Sequence, residues 1–329
     1  MHAAIDVVIR NNHIHNCTRG IWLDWQVQGT RVSNNLFYDN CLPYEFVLSR
    51  GTFSAIGEDL FIEVSHGPTL VDHNIMLSDR ALKICAQGIA LVHNLIHGSI
   101  TSVGIGTDNG SKDIPSPRYT PYHQIHGTRV EGFMTILHGD VRIYNNIFVQ
   151  KKIRPTMKAV SDIVSKDGNG WDDCNMIAGS FVYNGYPTFQ EWDAKFEGYC
   201  GIGSKSDDKY YDHLPVWMSG NQYFNGARPW EKEADAAVNS ENEIRIELYK
   251  KDDSMYLNTN LYEFLTDAGC GIISTENLGM AFEPEEKFEH PDGSPIVLIQ
   301  DYWGRSRSAW TYAGPFAVPD QIQNHPITK

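Results

Sequence analysis

The chain has 329 residues, enough for one large domain or two ordinary ones with a substantial core. Its 27 lysines and arginines stand against 41 aspartates and glutamates, a net charge of −14 that argues against nucleic-acid and anionic-membrane surfaces. No apolar run reaches membrane-spanning length, no secretory leader is read at the start, and the six cysteines form no Cys-x-x-Cys pair, so a reduced cytoplasmic protein is expected.

Taken in order, the chain opens on a repeat. Val7 begins Val-Val-Ile-Arg-Asn-Asn-His-Ile, and Thr30 begins Thr-Arg-Val-Ser-Asn-Asn-Leu-Phe. Thr69 begins Thr-Leu-Val-Asp-His-Asn-Ile-Met, Ile89 begins Ile-Ala-Leu-Val-His-Asn-Leu-Ile, and Asp140 begins Asp-Val-Arg-Ile-Tyr-Asn-Asn-Ile-Phe. A weaker copy starts at Met218. Each unit is a β-branched strand, an Asn turn and a second apolar strand. The recurrent residues Asn12, Asn35, Asn74, Asn94 and Asn146 are separated by 23, 39, 20 and 52 positions. The shorter steps suit one turn of three short strands, so the expected fold class is all-β, a right-handed parallel β-helix (solenoid) with long loop insertions. The recurrent Asn is expected in the turn, where it tolerates left-handed backbone and bonds to its equivalents above and below.

The longer steps imply insertions at Asn40–Gly57, from Gly98 to about Val130, and from about Lys151 to Pro215, which would rise on one face and build a site. Residues 1–233 are read as the catalytic coils and 234–329 as irregular late coils and a C-terminal cap of the same domain. The first repeat Asn is only at position 12, so further coils, an oligomer or a companion chain are expected to cover an otherwise open edge.

Two strands carry the chemistry. In Gly-Ile-Trp-Leu-Asp-Trp-Gln from Gly20, and in Asp-Leu-Phe-Ile-Glu-Val-Ser-His-Gly-Pro from Asp59, alternation turns Leu23, Val27, Leu60, Ile62 and Val64 inward. Trp22, Asp24, Gln26, Phe61, Glu63 and Ser65 then face outward. Asp24 and Glu63 each precede their turn Asn by eleven residues, which places them side by side on adjacent strands. Parallel strands lie about 4.8 Å apart, and carboxyls about 5–5.5 Å apart suit a retaining glycosidase with one nucleophile and one acid/base. Two acids this close do not both ionise cheaply. Lys83, also eleven residues before its Asn, is expected next to Glu63, where it would oppose a raised pKa.

These two motifs, with Gln-Gly-Thr-Arg-Val-Ser between them, resemble glycoside hydrolase family 120. The resemblance covers most of residues 5–150 and recurs near Ala281-Phe-Glu-Pro-Glu and Gly314-Pro-Phe-Ala. It implies a β-xylosidase on a parallel β-helix, with Asp24 the nucleophile, Glu63 the acid/base, and short β-1,4-xylo-oligosaccharides the substrates. Family members are longer, with earlier coils and an inserted β-sandwich absent here, and lack the Asn40–Gly57 insertion.

Around the acids, Trp22, Trp25, Gln26, His66, Lys83 and His126 are expected to contact substrate, with Tyr122, His123 and Arg129 walling the pocket. Asp167-Gly-Asn-Gly-Trp-Asp-Asp superficially suggests a calcium loop but lacks full ligand spacing. No organic cofactor is expected. The rival readings are a β-helix polysaccharide lyase with Lys83 or an Arg as base, and a non-catalytic carbohydrate-binding or structural solenoid.

Overall fold

The computed structural model describes residues 1–53, 56–102, 118–167, 175–199, 212–267, 269–308, 312–317, 322 and 325–328, without the side chains of 165–167. Each repeat unit contributes its strands to different sheets, and equal positions of successive units hydrogen-bond to one another. The first sheet has six strands in the order Val8–Arg10, Thr30–Ser33, Thr69–Asp72, Gln87–Val92, Gly139–Tyr144 and Val216–Ser219. The second has seven, running from His13–His15 through Leu36–Tyr38, Ile75–Met76, Leu95–Ile96, Ile147–Val149 and Gln222–Phe224 to Ala237–Asn239. The third has four: Arg19–Leu23, Glu58–Glu63, Arg80–Cys85 and Ser99–Ser102. All three are parallel, with Val32 opposite Val71, Val71 opposite Leu91 and Leu91 opposite Ile143.

In-register pairing stacks like side chains into one core. Val32, Val71, Leu91 and Ile143 meet Phe37, Met76, Ile96 and Phe148 from the second sheet and Leu23, Leu60, Ile62 and Ile84 from the third. Burial of this surface, at about 25 cal/mol per Å² of apolar area, is what holds the sheets together.

The expectation of an all-β, right-handed parallel β-helix is corrected. No closed or continuous solenoid sheet joins the described residues, which form three separate open parallel sheets. Helices accompany them at Tyr44–Arg50, Pro155–Asp167, Phe189–Ala194 and Thr275–Leu278, so the architecture is of α/β type. The turns explain the separation of the sheets. Asn11, Asn34, His73, His93 and Asn145 take φ between 55° and 59°, and this left-handed step ends the ladder of one sheet before the next begins. It is the residue before the recurrent Asn that adopts this conformation.

The recurrent Asn does something else. Backbone and side-chain N–H of Asn12 both donate to Asn35 Oδ1 at 3.0 Å, and Asn35 repeats this on Asn74 at 3.0 Å. The chain of bonds continues through Asn94 and Asn146 to Asn221, whose amide donates to Glu233 Oε1 at 2.7 Å. From Asn35 onward each amide also donates to a backbone carbonyl of the preceding layer, as Asn94 does to Val71 at 2.9 Å.

The insertions fold locally. Amphipathic helices Tyr44–Arg50 and Pro155–Asp167 pack on each other through Tyr44, Val47, Met157 and Val160. Strands Tyr119–His123 and Val130–Thr135 form an antiparallel hairpin over the third sheet. The C-terminal segment folds back on the first sheet, where Ile273, Leu278, Phe288, Ile296 and Leu298 cover Leu70, Ala90 and Val92. Asp167–Asp173, Cys174 and Cys200 lie wholly or partly outside the described residues, whereas Cys17, Cys41, Cys85 and Cys270 are free thiols. Among the described residues no helix is long and apolar enough to cross a membrane.

The ladder predicts a position-dependent cost. Asn94→Ala orphans the buried Asn74 N–H and removes three further bonds, so a loss of about 3 kcal/mol is expected. Asn12→Ala, at the exposed end, is expected to cost less than about 1 kcal/mol. Denaturant midpoints of the two variants check this, and equal losses would show that the buried ladder is not what stabilises the layers.

Candidate active site

Registration of the third sheet brings the two strand motifs together. Trp22 lies opposite Phe61 and Leu23 opposite Ile62, so the next pair in line is Asp24 and Glu63. Insertion of the Tyr44–Arg50 helix between the strands leaves this alignment intact, because its ends close at Leu42 N–H to Ile56 O, 2.7 Å.

The face expected to be open is largely covered. Phe61 and Ser65 are wholly buried and Glu63 is 5% exposed, whereas Trp22 remains 41% exposed. Val64, at φ 24°, breaks the alternation and packs outward with Phe61, Cys85 and Ile136 in place of the interior. A roof over the strand thus gives Glu63 a different environment from that of half-buried Asp24.

Glu63 is held by two donors. The Trp22 indole N–H donates to Oε2 at 2.7 Å, and the Arg118 guanidinium donates to Oε1 at 2.9 Å. Burial pushes the Glu63 carboxyl up, the Trp22 bond opposes this, the charge of Asp24 adds to it, and Arg118 again opposes it. Burial and the Asp24 charge prevail. Arg118 also lies 5.2 Å from the Trp25 ring centroid, while Arg19, anchored on Glu58, lies 4.7 Å from both Trp22 and Phe61. These cation–π contacts and the 5.8 Å stack of Trp22 on Phe61 fix the two tryptophans about the acids.

Asp24 Oδ1 accepts from Trp25 N–H at 2.9 Å and Oδ2 lies 3.2 Å from His2 Nδ1. Gln26, with φ 68°, donates its backbone N–H to Val64 O at 3.1 Å and ties the ends of the two strands together. A buried carboxyl kept above its usual range, beside a more exposed carboxylate one strand away, has the asymmetry needed to divide acid from nucleophile.

A solved structure described as XylC in complex with xylose is similar to this chain in its overall fold, with a TM-score of 0.74 and 34% identity. The chain shares the fold of XylC. The match covers 96% of this chain and 42% of XylC, so the chain spans less than half the length of that protein. No family model matches the sequence, and no curated protein matches it.

Within the fold shared with XylC, the remaining expected residues fall in different places. Lys83 is corrected: it pairs with Phe61, its Nζ 5.1 Å from that ring, and Cys85 is the residue opposite Glu63. Counting back from the Asn failed there because the link from Cys85 to Ile89 is two residues shorter than that from Glu63 to Thr69. His66 is 2% exposed and its nitrogens are engaged by Thr120 O at 3.1 Å and the Gln87 amide at 3.1 Å, with Gln87 Oε1 held by Leu137 N–H. It pins the hairpin to the sheet. His126, at the hairpin tip, contacts Asp6 and Glu289. Tyr122 sets its ring edge against His66, His123 is buried and bonded to Gln28 through its backbone, and Arg129 is exposed. Arg118 was not singled out from sequence, since nothing in Ser-Pro-Arg-Tyr indicates which strand it will cover. Clefts of about 600 and 780 Å³ open beside the Tyr44–Arg50 helix and beside residues 289–301, and neither is lined by the carboxylate pair.

Burial lowers the His66 pKa to about 4. Its neutral form is therefore worth stability that is present above about pH 6.5 and lost as pH falls toward 4. The expected outcome is a steady fall in unfolding free energy over that window, shallower in His66→Gln than in the parent chain. Identical slopes in denaturant titrations would exclude His66 as a source of the acid sensitivity.

Proposed function

We propose that the chain carries the reacting groups of a retaining β-xylosidase acting on short β-1,4-xylo-oligosaccharides. The observation that carries this reading is the register that sets Asp24 beside Glu63, with Glu63 buried and its carboxyl pushed up. The motif resemblance to glycoside hydrolase family 120 and the xylose held by XylC support the sugar.

In the proposed reaction Asp24 attacks the anomeric carbon while Glu63 gives its proton to the leaving glycosidic oxygen. A covalent glycosyl–Asp24 ester forms and the aglycone departs as an alcohol. Glu63, now ionised, takes a proton from water, which attacks the same carbon and releases β-xylose and free Asp24. Burial favours the protonated acid at the start, and Trp22 and Arg118 stabilise the carboxylate that forms after its proton leaves. Trp22, the exposed ring beside the pair, offers a stacking face for a sugar. No organic cofactor enters these steps. Where the strand Arg19–Leu23 ends its sheet, further chain or a companion surface would complete the pocket. Lys83, 2% exposed and registered against Phe61, is poorly placed to serve as the base of the lyase reading.

Hydrolysis of an aryl β-xyloside tests this. Asp24→Ala is expected to abolish turnover, and Glu63→Ala to slow it by about 10²–10⁴-fold. Proton NMR should show β-xylose first; α-xylose first, or wild-type rates in both variants, would reject the mechanism. Because Arg118 holds the Glu63 pKa down, Arg118→Gln is expected to move the alkaline limb of kcat/KM to higher pH. A shift to lower pH would mean that Glu63 is not the acid.

A further inference from the structure

Away from the carboxylate pair, three distant segments bring metal-ligating side chains to one point. Asp6 precedes the first strand, His126 sits at the hairpin tip, and Glu286 lies in the C-terminal segment. One donor atom from each lies within 4.8 Å of the others. His126 Nδ1 is 3.1 Å from Asp6 Oδ1, close to the separation of about 3.4 Å that ligands at zinc bond lengths adopt around a tetrahedral ion.

The surroundings resemble a second coordination shell. His126 Nε2 is 3.4 Å from Glu289 Oε1, the carboxylate contact that a metal-bound imidazole commonly makes with its other nitrogen. Gln28, itself held between the backbone N–H and O of His123, donates to Glu286 Oε2 at 2.7 Å, and the Glu286 carboxylate also accepts from the His126 backbone N–H. Room is kept by Gly29 at φ 64°: a Cβ there would lie 2.2 Å from Asp6 Oδ1 and 2.8 Å from Glu286 Oε1. Asp6 and the buried Glu286 thus approach each other across a space that a side chain at position 29 would have filled.

We infer that Asp6, His126 and Glu286 form a zinc site, with Glu289 and Gln28 orienting the ligands. One imidazole nitrogen and two carboxylates suit zinc, with water as fourth ligand, whereas calcium requires six or more oxygens. The ion would cross-link the start of the chain, the hairpin and the C-terminal segment, clamping the hairpin whose first residue follows Arg118. This inference is independent of the reaction assigned to Asp24 and Glu63.

Zinc titration of the purified chain by calorimetry, with metal analysis after dialysis, is the test. About one ion per chain is expected, with X-ray absorption showing only nitrogen and oxygen neighbours, one of them imidazole. The melting temperature should rise with zinc in the parent chain and not in His126→Ala. Glu286→Gln should abolish the site, and Glu289→Gln should weaken it about 10–100-fold. His13→Ala with His15→Ala, which removes an exposed histidine pair, should retain it. No retained zinc, or affinity unchanged in both His126→Ala and Glu286→Gln, would overturn the inference and leave the cluster as an ion-paired histidine.

Discussion

The structure depends on a buried amide that must be satisfied on both sides. From Asn35 onward each ladder Asn is wholly buried, and each accepts two N–H donors from one neighbour while donating to the next. Such groups are costly to bury unpaired, so a strand cannot slip by even one residue without orphaning donors in two layers. Apolar burial supplies most of the stabilisation, but it tolerates Val, Leu or Ile at the same place. The ladder is what makes register unique.

Register then becomes chemistry. Because equal positions of successive units face each other, two carboxylates at the same distance from their Asn become neighbours without any loop needing to aim them. Glu63 ends one strand and Asp24 directly follows the neighbouring one, so both are anchored by the sheet, which holds side chains more firmly than loops do. What distinguishes the two acids comes from outside the repeat. The hairpin and Arg118 close over Glu63, raising its proton affinity by burial while supplying a cation that limits the rise. Asp24, half-buried, receives no such cover.

The same hairpin is held at several points. His66 and Gln87 fasten it to the sheet in the middle, Arg118 meets Glu63 at its base, and His126 meets Asp6 and Glu289 at its tip. A roof fastened in this way gives Glu63 a constant environment. It also links the electrostatics of the pair to residues more than 200 positions away in the chain.

Local repetition was legible in the sequence because it is local: Asn-Asn and His-Asn turns between β-branched runs announce parallel strands and a ladder, and equal offsets from Asn35 and Asn74 announce that Asp24 and Glu63 are adjacent. The same counting misplaced Lys83, since a link two residues shorter changes the offset without leaving any mark in the hydrophobic pattern. It also suggested one continuous all-β solenoid, where left-handed turns separate three sheets and the insertions supply helices. Only tertiary structure decided which outward residues are buried, that His66 is a fastener, and that Arg118 reaches Glu63. Those outcomes depend on where a non-repeating insertion lands, which is set by packing between distant segments and not by the period of any one of them.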